Sequence, residues 1–257
     1  MTGKRLPVLF MGHGSPMNAI EENEISRGWQ EFGASLPRPD VILCVSAHWE
    51  TVGVKVTANE KPPTIHDFMG FPKVLQELSY PADGSRKLVE KLVHFDPDLS
   101  IQGDYSWGLD HGTWSVLRRL FPKADVPVVQ LSLDRHKSPR EHFELGRSLR
   151  GLRENGVLIV GSGNIVHNLR MIGEEKDVFE WAVRFDGLVK QWINASDYQS
   201  AIDYEQQGEI ARLAVNSGEH YLPLLYTLGA SYPDEKVHFF NELIWGGAFS
   251  MRCVQFG

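Results

Sequence analysis

Three apolar runs in this chain each lead into a histidine. Val8-Leu-Phe-Met11 is followed by Gly12-His13-Gly14-Ser15-Pro16, and Val41-Ile-Leu-Cys-Val45 by Ser46-Ala47-His48-Trp49. Val157-Leu-Ile-Val160 is followed by Gly161-Ser-Gly163-Asn164-Ile-Val-His167-Asn168. Neutral imidazole binds Fe(II), Zn(II), Cu(II) or Ni(II), and it transfers protons near neutral pH. A single histidine after a strand is usually a loop residue bonded to backbone. Three at the same end of one sheet point to a shared metal or catalytic site, because open α/β sheets bind ligands beyond the carboxyl ends of their strands. Gly161-Ser-Gly163 opens like a dinucleotide fingerprint, but Val166 stands where the third glycine is needed, so nucleotide binding is not expected.

Three further segments could complete such a site. Ser106–Trp114 contains Asp110-His111 between two tryptophans, and its plainer reading is an aromatic turn whose Asp110 caps the next helix. Lys61–Pro72 is a Pro-rich loop around His66-Asp67, either a surface loop or a lid or pocket wall. In Gly218–Tyr226, Pro223 fits the first turn of a helix, so Glu219 and His220 lie just before it. The functional reading makes His220, ahead of Glu219, the last metal ligand. The plain one is a capping pair of Asn216 and Glu219. Of the other histidines, His94 is expected at a helix end and His136 and His142 in solvent, while His238 has no assignment.

The elements that must position these residues alternate. Strands are expected at Pro7–Met11, Val41–Ala47, Val52–Thr57, Val126–Leu133, Val157–Gly161 and Phe249–Gln255. Helices are expected at Ile20–Leu36, Ser85–His94, Thr113–Phe121 and Val178–Trp192. Another should open on the capping box Ser138-Pro-Arg-Glu141 and run to Asn155, ended by Gly156. This alternation predicts an α/β fold: a single catalytic domain over residues 1–257, with one mostly parallel central sheet flanked by helices on both faces. The 257 residues suffice for a core without disulfide or metal staples.

Composition narrows the function. The net charge of −7 disfavours nucleic acid and anionic membranes as partners. Two cysteines, Cys44 and Cys253, exclude a four-Cys metal site. The opening residues Met1–Pro7 lack a signal-peptide pattern, and no apolar run reaches the roughly 18 residues of a membrane span. The expected location is the cytoplasm. The oligomeric state is left open.

In order and spacing, six motifs together resemble the class III extradiol ring-cleavage dioxygenases (LigB-like), most closely the DOPA 4,5-dioxygenase-like branch. They are Gly12–Met17, Ser46–Trp49, Pro62–Phe68, Asp110–Gly112, Gly163–Leu169 and Glu219–Pro223. The resemblance covers nearly the whole chain. It implies a non-haem Fe(II) enzyme that inserts both atoms of O2 into a catechol to give a muconic semialdehyde, and a site in which Zn(II) is often found instead. It places metal ligands on His13, His48 and His220, where better-known members have a glutamate in the third position. His167 becomes the acid/base residue or a fourth ligand, and His111 a second catalytic residue. His66, Ser15 and Trp49 would contact substrate, and Arg170 is the nearest cation for a substrate carboxylate. Two rivals use the same histidines: a zinc hydrolase with a metal-activated water, and a non-enzymatic member that only binds a ligand.

Overall fold

The computed structural model describes residues 5–95 and 99–257, so Met1–Lys4 of the opening segment lie outside the described residues. The strands are β1 (Val8–Gly12), β2 (Val41–Thr51), β3 (Lys55–Thr57), β4 (Gln102–Asp104), β5 (Val128–Asp134), β6 (Val157–Gly163), β7 (Val237–Phe240), β8 (Ile244–Trp245), β9 (Phe249–Ser250) and β10 (Cys253–Phe256). The α-helices are α1 (Glu24–Ser35), α2 (Lys73–Gln76), α3 (Arg86–Val93), α4 (His111–Leu120), α5 (Pro139–Leu149), α6 (Glu180–Asn194), α7 (Tyr198–Ile202), α8 (Glu209–Ala214) and α9 (Leu222–Ala230).

Eight strands form one sheet in the order β4-β3-β5-β2-β6-β1-β10-β7, and β8 and β9 pair separately. The central four, β5-β2-β6-β1, are parallel. Their residues are apolar on both sides because both faces are covered. On β1, Val8 and Phe10 enter one core while Leu9 and Met11 enter the other. On β2, Leu43 and Val45 alternate with Ile42 and Cys44 in the same way. The first core is closed by side chains of α3, α5, α6 and α9, the second by α1 and α4, including Trp29 and Trp114. The α/β architecture with helices on both faces is therefore as expected, and Cys44 and Cys253 are buried free thiols.

The edges differ from expectation. Val52–Thr57 keeps strand geometry only over β3, which is antiparallel to β5. Phe249–Gln255 is two strands, β9 and β10, interrupted at Met251-Arg252, with β10 antiparallel to β1. Arg252 there turns inward to pair with buried Asp186 of α6. The helix expected from Ile20 starts only at Glu24, where Asn23 and Ser26 form a capping box. The Ser138–Glu141 capping box forms, and Gly156, in the left-handed conformation at φ 75°, ends the segment as expected, although its last turn is 3-10 rather than α.

His142 corrects the reading most clearly. It is not solvated but fully buried, its Nδ1 3.0 Å from the Tyr226 hydroxyl of α9. It shares the inward stripe of α5 with Leu145, Gly146 and Leu149, and its charged sequence neighbours project from the other face. No helix among the described residues is long and apolar enough to cross a membrane.

Candidate active site

The site lies where β1 and β6 stop and β2 parts from β6. β1 and β6 are paired to their last residues, Gly12 against Gly163, and the next N–H, of His13, donates to the Gly163 carbonyl at 3.0 Å. β2 pairs with β6 only as far as Ser46. Its register against β5 shifts between Val45 and Glu50, an irregularity that brackets His48. His220 closes a 3-10 turn directly before α9, and its carbonyl accepts from Asn164 N–H at 2.8 Å. That carbonyl passes so close to Gly163 that any side chain there would collide with it. His111 is the first residue of α4, behind its cap Asp110. A Cβ at Gly112 would lie 2.7 Å from Ser46 Oγ and 2.9 Å from the His48 ring, so glycine lets α4 approach β2.

Five imidazoles meet here. His13 Nε2 and His48 Nε2 are 3.1 Å apart, and His13, His48 and His220 offer ligand atoms that all lie within 4.8 Å of one another. Each ring has a polar group on its other nitrogen. Ser162 Oγ donates to the Gly112 carbonyl at 2.6 Å, so toward His13 Nδ1, 3.0 Å away, it acts as acceptor. This places the His13 proton on Nδ1 and leaves Nε2 a bare lone pair. The Asp67 carboxylate lies 3.4 Å from His48 Nδ1, and Glu219 lies 3.0 Å from His220 Nδ1, with the same consequence. His220 Nε2 is buried without a hydrogen-bond partner. Three imidazole lone pairs therefore converge on one another at the floor of the site. The donor set fits a divalent metal that accepts neutral nitrogen.

The electrostatics agree. Burial, then repulsion from neighbouring imidazoles, pushes His13 and His220 well below the usual histidine range. Burial and His111 push His48 down to about 3. Burial pushes His167 down to about 4. All four are therefore neutral at pH 7, the form that binds metal. Burial works to raise Asp67, but His111 and then His48 outweigh it and hold the carboxyl below its ordinary range. Asp67 also accepts the His111 backbone N–H at 2.9 Å and faces His111 Nδ1 at 2.9 Å, off the line of an aligned hydrogen bond. Beneath His48 and His111 lies buried Asp110. It accepts from Ser46 Oγ at 2.6 Å and from Gln130, and it caps α4 through Thr113 N–H. Burial lifts its carboxyl to about 6.

A cavity of about 420 Å3 opens above the imidazoles. His13, His48, His111, His167, His220 and Ser15 all line it. The His167 ring lies flat on His220, centroids 3.5 Å apart and planes 5° from parallel. Three expected contacts lie elsewhere. His66 Nε2 is 2.9 Å from the Leu78 carbonyl, and its ring packs on Trp114, so its neighbour Asp67 enters the site instead. Trp49 is buried in a parallel stack on Trp107, outside the lining. Arg170 is exposed and also outside it. Glu219 holds His220 and Ser217 rather than capping with Asn216. The sequence reading named the His66-Asp67 loop but gave no role to Asp67, Ser162, or the apolar walls Phe68, Phe71, Trp245 and Phe249.

Together these features define an α/β protein with a metal-competent histidine centre at the carboxyl edge of its parallel strands. Residues 7–245 match the family model described as the catalytic LigB subunit of aromatic ring-opening dioxygenase. The chain is 46% identical to an Escherichia coli K12 protein named 4,5-DOPA dioxygenase extradiol, over 100% of this chain and 97% of that one. A Beta vulgaris protein of the same name is 34% identical, with 96% and 95% covered. A crystal structure of an uncharacterized Escherichia coli K12 protein superposes with a TM-score of 0.86 at 42% identity, covering 98% of this chain and all of that one. The chain belongs to this LigB family, and it is an aromatic ring-opening dioxygenase.

Two outcomes follow from the geometry. Ser162→Ala removes the acceptor that fixes the His13 tautomer, and metal affinity measured by competitive chelation should fall roughly 10- to 100-fold. A wild-type affinity would show that Ser162 does not orient His13. The second concerns pH. The buried imidazoles have folded pKa values below their unfolded value of about 6.5, so the stability they confer is complete above that pH and is lost as pH falls toward about 4. Urea unfolding of metal-free protein should therefore weaken over this window more steeply than the roughly 1.4 kcal/mol per pH unit of a single proton. A flat profile would contradict the buried neutral cluster.

Proposed function

We propose that this enzyme is an extradiol dioxygenase which opens a catechol of the DOPA class with O2. In this reading Fe(II) is held by His13, His48 and His220, and residues 1–257 form one catalytic domain. The observation that carries the reading is the set of three imidazole lone pairs converging at the floor of an apolar-walled cavity of catechol size. Fe(II) supplies the one-electron chemistry that lets a catecholate react with O2, which Zn(II) on the same donors does not supply.

The chain's own residues do the rest. The walls Phe68, Phe71 and Phe249 hold the aromatic ring and keep water from the reacting face. A catechol must lose its second hydroxyl proton as it is activated, and the oxygen released later in ring opening must regain one. His167 performs both transfers in turn. Its pKa of about 4 makes it a weak base in the metal-free protein. A catecholate in the cavity adds negative charge beside the ring and raises its basicity. The backbone fixes its position, since its N–H donates to the Ala214 carbonyl at 2.9 Å and its ring rests on His220. His111, oriented by Asp67, lies beside His48 at the far end of the cluster from His167, its ring centroid 3.9 Å from that of His48, where it meets substrate or O2. Asp67 thereby couples a metal ligand to a substrate-facing imidazole.

The test is O2 uptake by metal-stripped protein reloaded anaerobically with Fe(II) and given L-DOPA and other catechols, with a Zn(II)-loaded sample alongside. Iron-dependent uptake with a yellow ring-opened product is the expected result. Hydrolytic turnover by the zinc form without O2 would overturn the reading in favour of a zinc hydrolase. In the same assay His167→Ala should retain iron while kcat falls roughly 100-fold or more. Loss of iron would instead make His167 a ligand.

A further inference from the structure

The cavity wall is chemically one-sided. Among the described residues lining it, the only charged side chain other than an imidazole is Asp67, and neither lysine nor arginine is present. Asp67 is occupied by His48 and His111. The mouth is framed by Leu169, 63% exposed, and Ile172, 42% exposed, with Phe68, Phe71 and Trp245 further in. When a diol meets the imidazoles on the floor, the remaining ring positions face these apolar walls. A carboxylate held there loses its water and gains no donor, while sharing the cavity with the Asp67 anion. An ester or alkyl group of the same size pays no such penalty, and in a zwitterionic arm the neighbouring ammonium offsets the carboxylate, so no net charge enters.

Resting on the dioxygenase reading, we infer that this site selects catechols whose ring substituent is uncharged or without net charge, and discriminates against an anionic substituent. Leu169 at the rim is the position where that preference is set. Leu169 is suited to the role because it lines the cavity and is also open to solvent, so a charge placed there need not be buried.

The experiment compares 3-(3,4-dihydroxyphenyl)propionate with its methyl ester, which share ring and arm length and differ in charge. The Fe(II)-loaded enzyme should show kcat/KM for the ester roughly tenfold or more above that for the acid. Leu169→Arg should move this ratio toward the acid by a similar factor, whereas the uncharged Leu169→Gln should not. Arg170→Gln should leave the ratio where it was. Equal or better turnover of the acid by wild-type enzyme would overturn the inference. So would a selective loss of acid turnover in Arg170→Gln, which would make Arg170 the carboxylate partner. Calorimetry on redox-inert Zn(II)-loaded protein reads the same preference without turnover. If the iron form consumes neither compound but turns over L-DOPA, the zinc-form affinities alone decide: tighter ester binding sustains the charge preference, and equal or tighter acid binding ends it. If it consumes none of the three, the dioxygenase reading has failed, and the same zinc-form affinities still decide the charge preference.

Discussion

Two ring nitrogens 3.1 Å apart, His13 Nε2 and His48 Nε2, set the terms for this edge of the sheet. With Ser162 and Asp67 directing protons to the opposite nitrogens, both present lone pairs, and they repel. A proton between them would relieve the repulsion, but burial opposes a charged imidazolium. A metal cation relieves it and gains three donors at once. Much nearby detail serves this constraint: glycines at 112 and 163 that let backbone pass closely, the strand irregularity bracketing His48, and the acceptors behind each ring. Proteins tolerate such local conflict where function needs it.

The sheet supplies the precision. His13 directly follows β1, His48 lies on β2, both central parallel strands packed on both faces, and His220 is tied to the β6 end through Asn164. Sites built on such elements hold tighter geometry than sites built on loops. The apolar walls come instead from the Lys61–Pro72 loop and from the chain beyond β6, with Trp245 on β8 and Phe249 on β9. Strand ends and the turn before α9 thus fix the converging imidazoles, and the segments around them shape the cavity above.

The parts of this arrangement visible in the sequence follow the same division. Apolar runs mark strand ends, so His13, His48 and His167 could be placed at one edge before any coordinates existed. Loop residues have no such period, and in His66-Asp67 the adjacent residue proved to be the one facing the site. Trp49 was expected beyond a strand ending at Ala47; because β2 runs on to Thr51, side chains still alternate there and Trp49 turns away from the side His48 faces. One error was avoidable on physical grounds. His142 stands three, four and seven residues before Leu145, Gly146 and Leu149, the spacing of a buried helix face, which its charged neighbours obscured. Ser162 carried no readable signal: its role exists only because Gly112 and His13 meet it from distant parts of the chain.

The most direct test of this account is a crystal structure of the Fe(II)-loaded protein with anomalous diffraction measured at the iron edge. The account predicts one ion bound by Nε2 of His13, His48 and His220, with Ser162, Asp67 and Glu219 still on the Nδ1 sides and His167 not coordinated. An ion seated instead on His48, Asp67 and His111, or on His167, Glu219 and His220, would contradict it.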